Sequence, residues 1–156
     1  MKKVSFEFVK LGIICPMANE KSNAKMFVNE VLSQCMDFYF SSMTFFLIFD
    51  NKCNDGTFEL LKSNYESNKK VKVIYAPENN CVVDAYKIGY REALSLECDW
   101  ILEIDAGYSH QPLDIPKLFS NMWADDEIWW DAFVTPYDES KGEFVGYFRF
   151  ETQEKI

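Results

Sequence analysis

Three short stretches of the chain concentrate the residues able to do chemistry. The longest runs Asp99-Trp100-Ile101-Leu102-Glu103-Ile104-Asp105-Ala106-Gly107-Tyr108-Ser109-His110-Gln111-Pro112. An apolar run rises to Asp105 and then breaks at once into small and polar residues, with Ser109 and the single histidine of the chain, His110, close behind. Open α/β sheets bind ligands outside the carboxyl ends of their strands, so a carboxylate at that point is a candidate ligand or metal contact. The plainer alternative is that Asp105 caps a turn and His110 is a surface residue. The other two stretches are Pro16-Met17-Ala18-Asn19-Glu20 and Asp50-Asn51-Lys52-Cys53-Asn54-Asp55-Gly56-Thr57, each polar, turn-forming and preceded by an apolar run.

The elements that would position these residues follow from periodicity. Val9 to Cys15 is a short apolar run stopped by Pro16, which predicts a first buried strand. From Ala24, residues Phe27, Val28, Val31, Leu32 and Cys35 recur at helical spacing, predicting a helix to about Asp37. Met43 to Phe49 is nearly all apolar and predicts a strand covered on both faces. A second helix carries Phe58, Leu61 and Tyr65; Val71 to Tyr75 is a third strand. A third helix runs from about Val82 to Leu96, with Asn79 or Asn80 as its cap. Its Ala85, Gly89 and Ala93 form one face of small residues, which lets helix and sheet backbones approach closely. The stretch around Trp100 is the fourth strand, and Asp114 can cap a short helix through Pro116, Leu118, Phe119 and Met122. Residues 131–135 read as a further strand, and 142–150 as an antiparallel tail. Alternating strands and helices of this kind imply an α/β sandwich with a mostly parallel sheet.

Composition narrows the class. At 156 residues, 48% hydrophobic and 26% charged, the chain is expected to be one globular domain over 1–156. A net charge of −9 argues against nucleic acid or an anionic membrane surface as a partner held by bulk charge. Fourteen Phe, eight Tyr and four Trp exceed what one small core needs, so some rings are expected at a cleft or an interface, and a homo-oligomer through that aromatic surface is one outcome. No apolar run approaches the length of a transmembrane segment, and Glu7 and Lys10 interrupt any signal-peptide core. Five cysteines without a Cys-x-x-Cys pair read as reduced thiols of a cytoplasmic protein.

Taken together, the strand-end residues resemble the nucleotide-sugar domain of family 2 glycosyltransferases, and in pattern the dolichol- and polyprenol-phosphate sugar transferases. Cys15-Pro16-Met17-Ala18-Asn19-Glu20 is similar to that family's Pro-x-x-Asn-Glu opening, and Asp50 to Thr57 resembles its acidic loop ending Asp-Gly-Thr. Asn79 to Ala93 is similar to the Asn-x-Gly and Ala-x-x-x-Gly-x-x-x-Ala helix, with Cys81 where the family usually has Gly. Glu103 to Pro112 looks like the Asp-x-Asp segment with its following Ser-His-x-Pro. The resemblance covers roughly residues 8–123, leaving a short acceptor-side tail at about 124–156. It implies a GT-A fold, a three-layer α/β sandwich of the nucleotide-diphospho-sugar transferase type. It implies an inverting transferase moving a sugar from a nucleotide-diphosphate sugar to an acceptor that the sequence does not identify. Pro16, Met17, Ala18, Asn19, Glu20, Asp50, Asn51 and Asp55 would face the nucleotide. Asp105, Ser109 and His110 would hold Mg²⁺ or Mn²⁺, hard cations that prefer oxygen ligands and bridge a diphosphate.

Two departures from the family pattern matter. Gly107 stands where the second Asp of Asp-x-Asp would be, removing one anionic ligand. Only about 45 residues follow His110, and among Asp125, Asp126, Asp131, Asp138 and Glu139 no motif selects a general base, so the catalytic residue stays unassigned. Both departures favour an alternative function: a GT-A-like domain that binds a nucleotide sugar with little or no transfer, as a partner subunit. A nucleotidyltransferase-like enzyme is a third class, but it would want a Gly-rich, basic loop after the first strand, which Pro16 to Glu20 does not supply.

Overall fold

The computed structural model describes residues 5–121, together with 137–138 and 143–144. Strand β1 (Ser5–Pro16) is followed by α1 (Ala24–Met36), β2 (Tyr39–Phe49), α2 (Thr57–Tyr65), β3 (Val71–Tyr75), α3 (Val82–Ser95) and β4 (Trp100–Glu103). A 3-10 turn (Pro112–Asp114) then leads into α4 (Ile115–Asn121). The four strands form one sheet in the order β3-β2-β1-β4, and every neighbouring pair is parallel. Ile13 sits between Phe45 of β2 and Leu102 of β4, and Leu47 lies opposite Val73 of β3.

Period-two alternation decides which side chain meets which helix layer. Leu11, Ile13 and Cys15 of β1, with Phe45, Leu47 and Phe49 of β2, share a core with Phe27, Val28 and Val31 of α1, Leu61 of α2 and Phe119 of α4. Ile14, Phe46, Ile48 and Ile101 point the other way and meet Ala85 and Ala93 of α3. A strand buried on both faces needs apolar residues at every position, which is why β2 reads as an unbroken run from Phe45 to Phe49. Phe27, Phe45, Phe46, Phe49 and Phe119 are each less than 2% exposed. Burial of such a ring contributes on the order of 2–3 kcal/mol, so part of the aromatic load is spent in the core.

The small face of α3 does what its spacing predicts. Gly89 packs on β1 so closely that a Cβ there would lie 2.3 Å from Ile14 Cγ2. Three element bounds differ from the sequence expectation. β1 and β2 begin earlier, at Ser5 and Tyr39, because their first halves, of mixed polar and aromatic residues, pair with each other across a register shift between Phe6 and Lys10. The residue capping α3 is Cys81, without a side-chain cap bond; Asn80 instead gives its N–H to Asp84 Oδ2 at 3.1 Å. Asp114 ends the 3-10 turn immediately before α4, where its carboxylate pairs with Lys117. The strand expected at 131–135 lies outside the described residues. Of the expected tail, Glu143–Phe144 forms a strand, β6, antiparallel to β5 (Tyr137–Asp138).

Candidate functional site

Because the sheet is parallel, Pro16, Phe49, Tyr75 and Glu103 leave it on one edge, and the three polar stretches follow three of these ends. The first and second loops are laced together. Asn19, at a φ of 55°, turns its side chain to the second loop: Nδ2 donates to the Lys52 carbonyl at 3.0 Å and Oδ1 accepts from the Asn54 N–H at 2.9 Å. Asparagine tolerates that left-handed backbone better than most residues. Glu20 gives its N–H to Thr57 Oγ1 at 2.9 Å, and Lys21 gives its N–H to Asp55 Oδ2 at 3.0 Å. Thr57, fully buried at the start of α2, passes its own hydroxyl hydrogen to Asp55 Oδ1. The Thr57 hydroxyl, followed by the backbone N–H groups of Lys21 and Thr57, holds the Asp55 carboxyl below its ordinary range against a smaller opposing effect of burial.

These bonds separate the expected nucleotide residues by role. Both oxygens of Asp55 are engaged by the protein, and its side chain braces the two loops. Asn19 is likewise committed to the loop contact. Asp50 accepts the Lys52 N–H through Oδ1 at 2.9 Å in an Asx turn, and it lines a cleft of about 280 Å³ with Pro16, Met17, Ala18, Lys52 and Ala85. Asn51 is exposed in the same turn and is not part of that lining. Lys52 is a residue the sequence reading passed over. Its ammonium group donates to the Asn80 carbonyl at 2.9 Å, which sets a positive charge at the rim of a cleft in an acidic protein.

Asp105 follows β4 at the same edge of the sheet. Tyr86, one residue beyond Ala85, donates its hydroxyl to Asp105 Oδ1 at 2.7 Å. Burial, and then the Asp105 carboxylate, push the Tyr86 hydroxyl far above its usual range, so it remains a donor. Burial, and then the charge of Asp105, raise Glu103 to about 7. The Asp105 N–H donates to His110 Nδ1 at 2.9 Å. His110 therefore fixes the turn after β4. Ser109 is exposed in that turn. Among the described residues no group of three or more His, Cys, Asp and Glu is gathered to hold an ion. The five acids available as a general base, Asp125, Asp126, Asp131, Asp138 and Glu139, lie outside the residues whose side chains the structure describes.

A parallel 3-2-1-4 sheet with helices on both faces is the α/β architecture of the GT-A fold. The sequence profile of glycosyl transferase family 2 matches residues 12–154, and the chain belongs to that family. No curated protein matches it. Membership supports sugar transfer as the class of activity. Among the described residues no helix is long and apolar enough to cross a membrane.

Proposed function

We propose that this chain is an inverting glycosyltransferase that takes its sugar from a nucleotide-diphosphate donor, in the manner of the dolichol- and polyprenol-phosphate sugar transferases it resembles. The observation that carries this reading is the cleft at the carboxyl edge, lined by Asp50, Lys52 and, on α3, Val82 and Ala85, with the next residue of α3, Tyr86, holding Asp105. In this reading residues 8–123 bind the donor and 124–156 belong to the acceptor side. Asp50 accepts hydrogen bonds from the base or ribose, Pro16 to Ala18 form the apolar floor, and Lys52 meets the diphosphate. Glu20 and Asn51 border the same loops. Five free thiols support a reducing, cytoplasmic setting.

The donor set at the end of β4 fits a hard cation through oxygen: Asp105 keeps its side chain 48% exposed, with one oxygen oriented by Tyr86. Asp105 would hold Mg²⁺ or Mn²⁺ there, and the ion would supply charge to the departing nucleoside diphosphate. Tyr86 fixes the rotamer of Asp105, and the laced loops keep the nucleoside side from moving away from it. The acceptor attacks the anomeric carbon from the face opposite the diphosphate.

Gly107 favours a second reading, binding without efficient transfer as a partner subunit, because it removes an anionic ligand. Calorimetry with a panel of nucleotide-diphosphate sugars, with Mn²⁺ and with chelator, followed by a transfer assay, separates the two. Asp50→Ala is expected to weaken nucleotide binding about tenfold with or without metal, the value of one charge-assisted hydrogen bond. An unchanged affinity in a folded variant would reduce Asp50 to its Asx turn.

A further inference from the structure

We propose that the Lys52 ammonium is a built-in binding group for the donor's diphosphate, so that this chain holds the diphosphate in part without a divalent ion. The assignment rests on the reading of the cleft as a nucleotide-diphosphate site. Lys52 is held at three points, each belonging to a different loop. Its N–H donates to Asp50 Oδ1 at 2.9 Å, within the β2–α2 loop. Its carbonyl accepts from Asn19 Nδ2 at 3.0 Å, which ties it to the β1–α1 loop. Its ammonium donates to the Asn80 carbonyl at 2.9 Å, in the β3–α3 loop. Three loops at the carboxyl edge of the sheet therefore meet on one residue.

The charge at the end of this side chain is placed but not neutralised. A lysine ammonium has three N–H donors, and the Asn80 carbonyl takes one of them. A carbonyl is a dipole and not an anion, and among the described residues no ion pair joins Lys52 to a carboxylate, in a chain whose net charge is −9. The bridge to Asn80 also borders open space: Lys52 lines the cleft of about 280 Å³, and so does Val82, two residues beyond Asn80. Among the described residues of that lining, the other side chains are apolar or, in Asp50, anionic, so the positive charge comes from Lys52. A long side chain ordinarily loses rotamer freedom when it binds an anion. Here the backbone is pinned at N–H and carbonyl and the tip is pinned at Asn80, so much of that cost is met on folding. Two N–H donors and a full charge remain for anionic oxygens entering the cleft, and such charge-assisted bonds are stronger than neutral ones.

The experiment uses calorimetry on the full chain in chelator, with UDP against uridine and GDP against guanosine as probes. The ratio of nucleotide to nucleoside affinity isolates the diphosphate from the rest of the ligand. In wild type the diphosphate is expected to improve affinity about tenfold or more, the value of one charge-assisted contact. In Lys52→Met that gain should fall to about twofold or less, with nucleoside affinity retained, because methionine keeps the N–H and carbonyl that Asp50 and Asn19 hold. Lys52→Arg should keep most of the gain, since the guanidinium preserves charge and donors. Raising the salt from about 50 mM to about 500 mM should reduce the wild-type gain several-fold and leave the nucleoside affinity alone. That arm needs no variant and decides the matter should Lys52→Met fold poorly. A gain in folded Lys52→Met equal to wild type, or a wild-type gain indifferent to salt, overturns the role of Lys52 and leaves the nucleotide reading standing. A wild-type gain that appears only with Mn²⁺ also overturns it, because the ion then supplies all the charge. Failure of both nucleosides and both nucleotides to bind, with chelator and with Mn²⁺, defeats the nucleotide reading itself and this assignment with it.

Discussion

The Tyr86 hydroxyl donates to Asp105 Oδ1 across 2.7 Å, so a residue on the second turn of α3 orients the carboxylate that follows β4. Tyr86→Phe deletes only that donor. Hydrogen bonds to charged acceptors are worth more than neutral ones, but the Asp105 side chain is 48% exposed and water can replace the lost partner. The expected loss is about 1 kcal/mol by urea denaturation. A denaturation midpoint equal to wild type would mean that the bond orients Asp105 without stabilising the fold.

Gly89→Ala tests the close approach of α3 to β1. The new Cβ would fall 2.3 Å from Ile14 Cγ2 and 3.0 Å from its Cγ1 and Cδ1, so the helix or Ile14 must shift. Overpacking of this kind costs about 1–3 kcal/mol, more than the ~1 kcal/mol gained from alanine's helix propensity. Net destabilisation is expected. Adding Ile14→Ala should cost less in the Gly89→Ala background than in wild type, and a double-mutant cycle with no coupling would contradict the packing account.

Asp55 gives the fold a defined acid sensitivity. Its carboxyl is held below the ordinary value of 3.8 by the Thr57 hydroxyl, so the native state binds its proton less readily than the unfolded chain. The contribution is complete above the unfolded value and is lost as pH falls through the lower folded value. The stability gap between wild type and Asp55→Asn should be constant from about pH 5 to 7 and close progressively below 3.8. A gap that persists at about pH 2 would show that the amide fails for geometric rather than titration reasons.

How much of this was legible in the sequence depends on whether a residue's neighbours are close in the chain. The core strands were readable because Phe45 to Phe49 and Val71 to Tyr75 announce burial through their own composition. Ala85, Gly89 and Ala93 announce a face by spacing alone, and the structure puts all three against the sheet. The loops were readable as polar stretches but not as a unit, since Asn19 finds Lys52 and Asn54 more than 30 positions away. The partners of Asp55 and His110 were not legible for one reason: they depend on which backbone N–H groups the fold turns toward each side chain. Nothing local marks Tyr86 as the partner of Asp105, 19 positions on.

The last prediction concerns how metal and nucleotide act on each other. With Gly107 after Asp105, the protein alone supplies little charge to a cation, and a bound diphosphate adds the missing anionic oxygens. Metal and nucleotide sugar should therefore tighten each other by the same factor, as linkage requires. Asp105→Asn removes the charge common to both situations and keeps an acceptor for Tyr86, so the loop geometry survives. The mutual tightening should vanish while the metal-free nucleotide affinity stays within about twofold of wild type, because Asp50 and the cleft floor are untouched. Calorimetric titration of the nucleotide sugar into both proteins, with Mn²⁺ and with chelator, measures all four affinities. Equal wild-type affinities in the two buffers would remove metal from the mechanism and make binding without transfer the better account of the cleft.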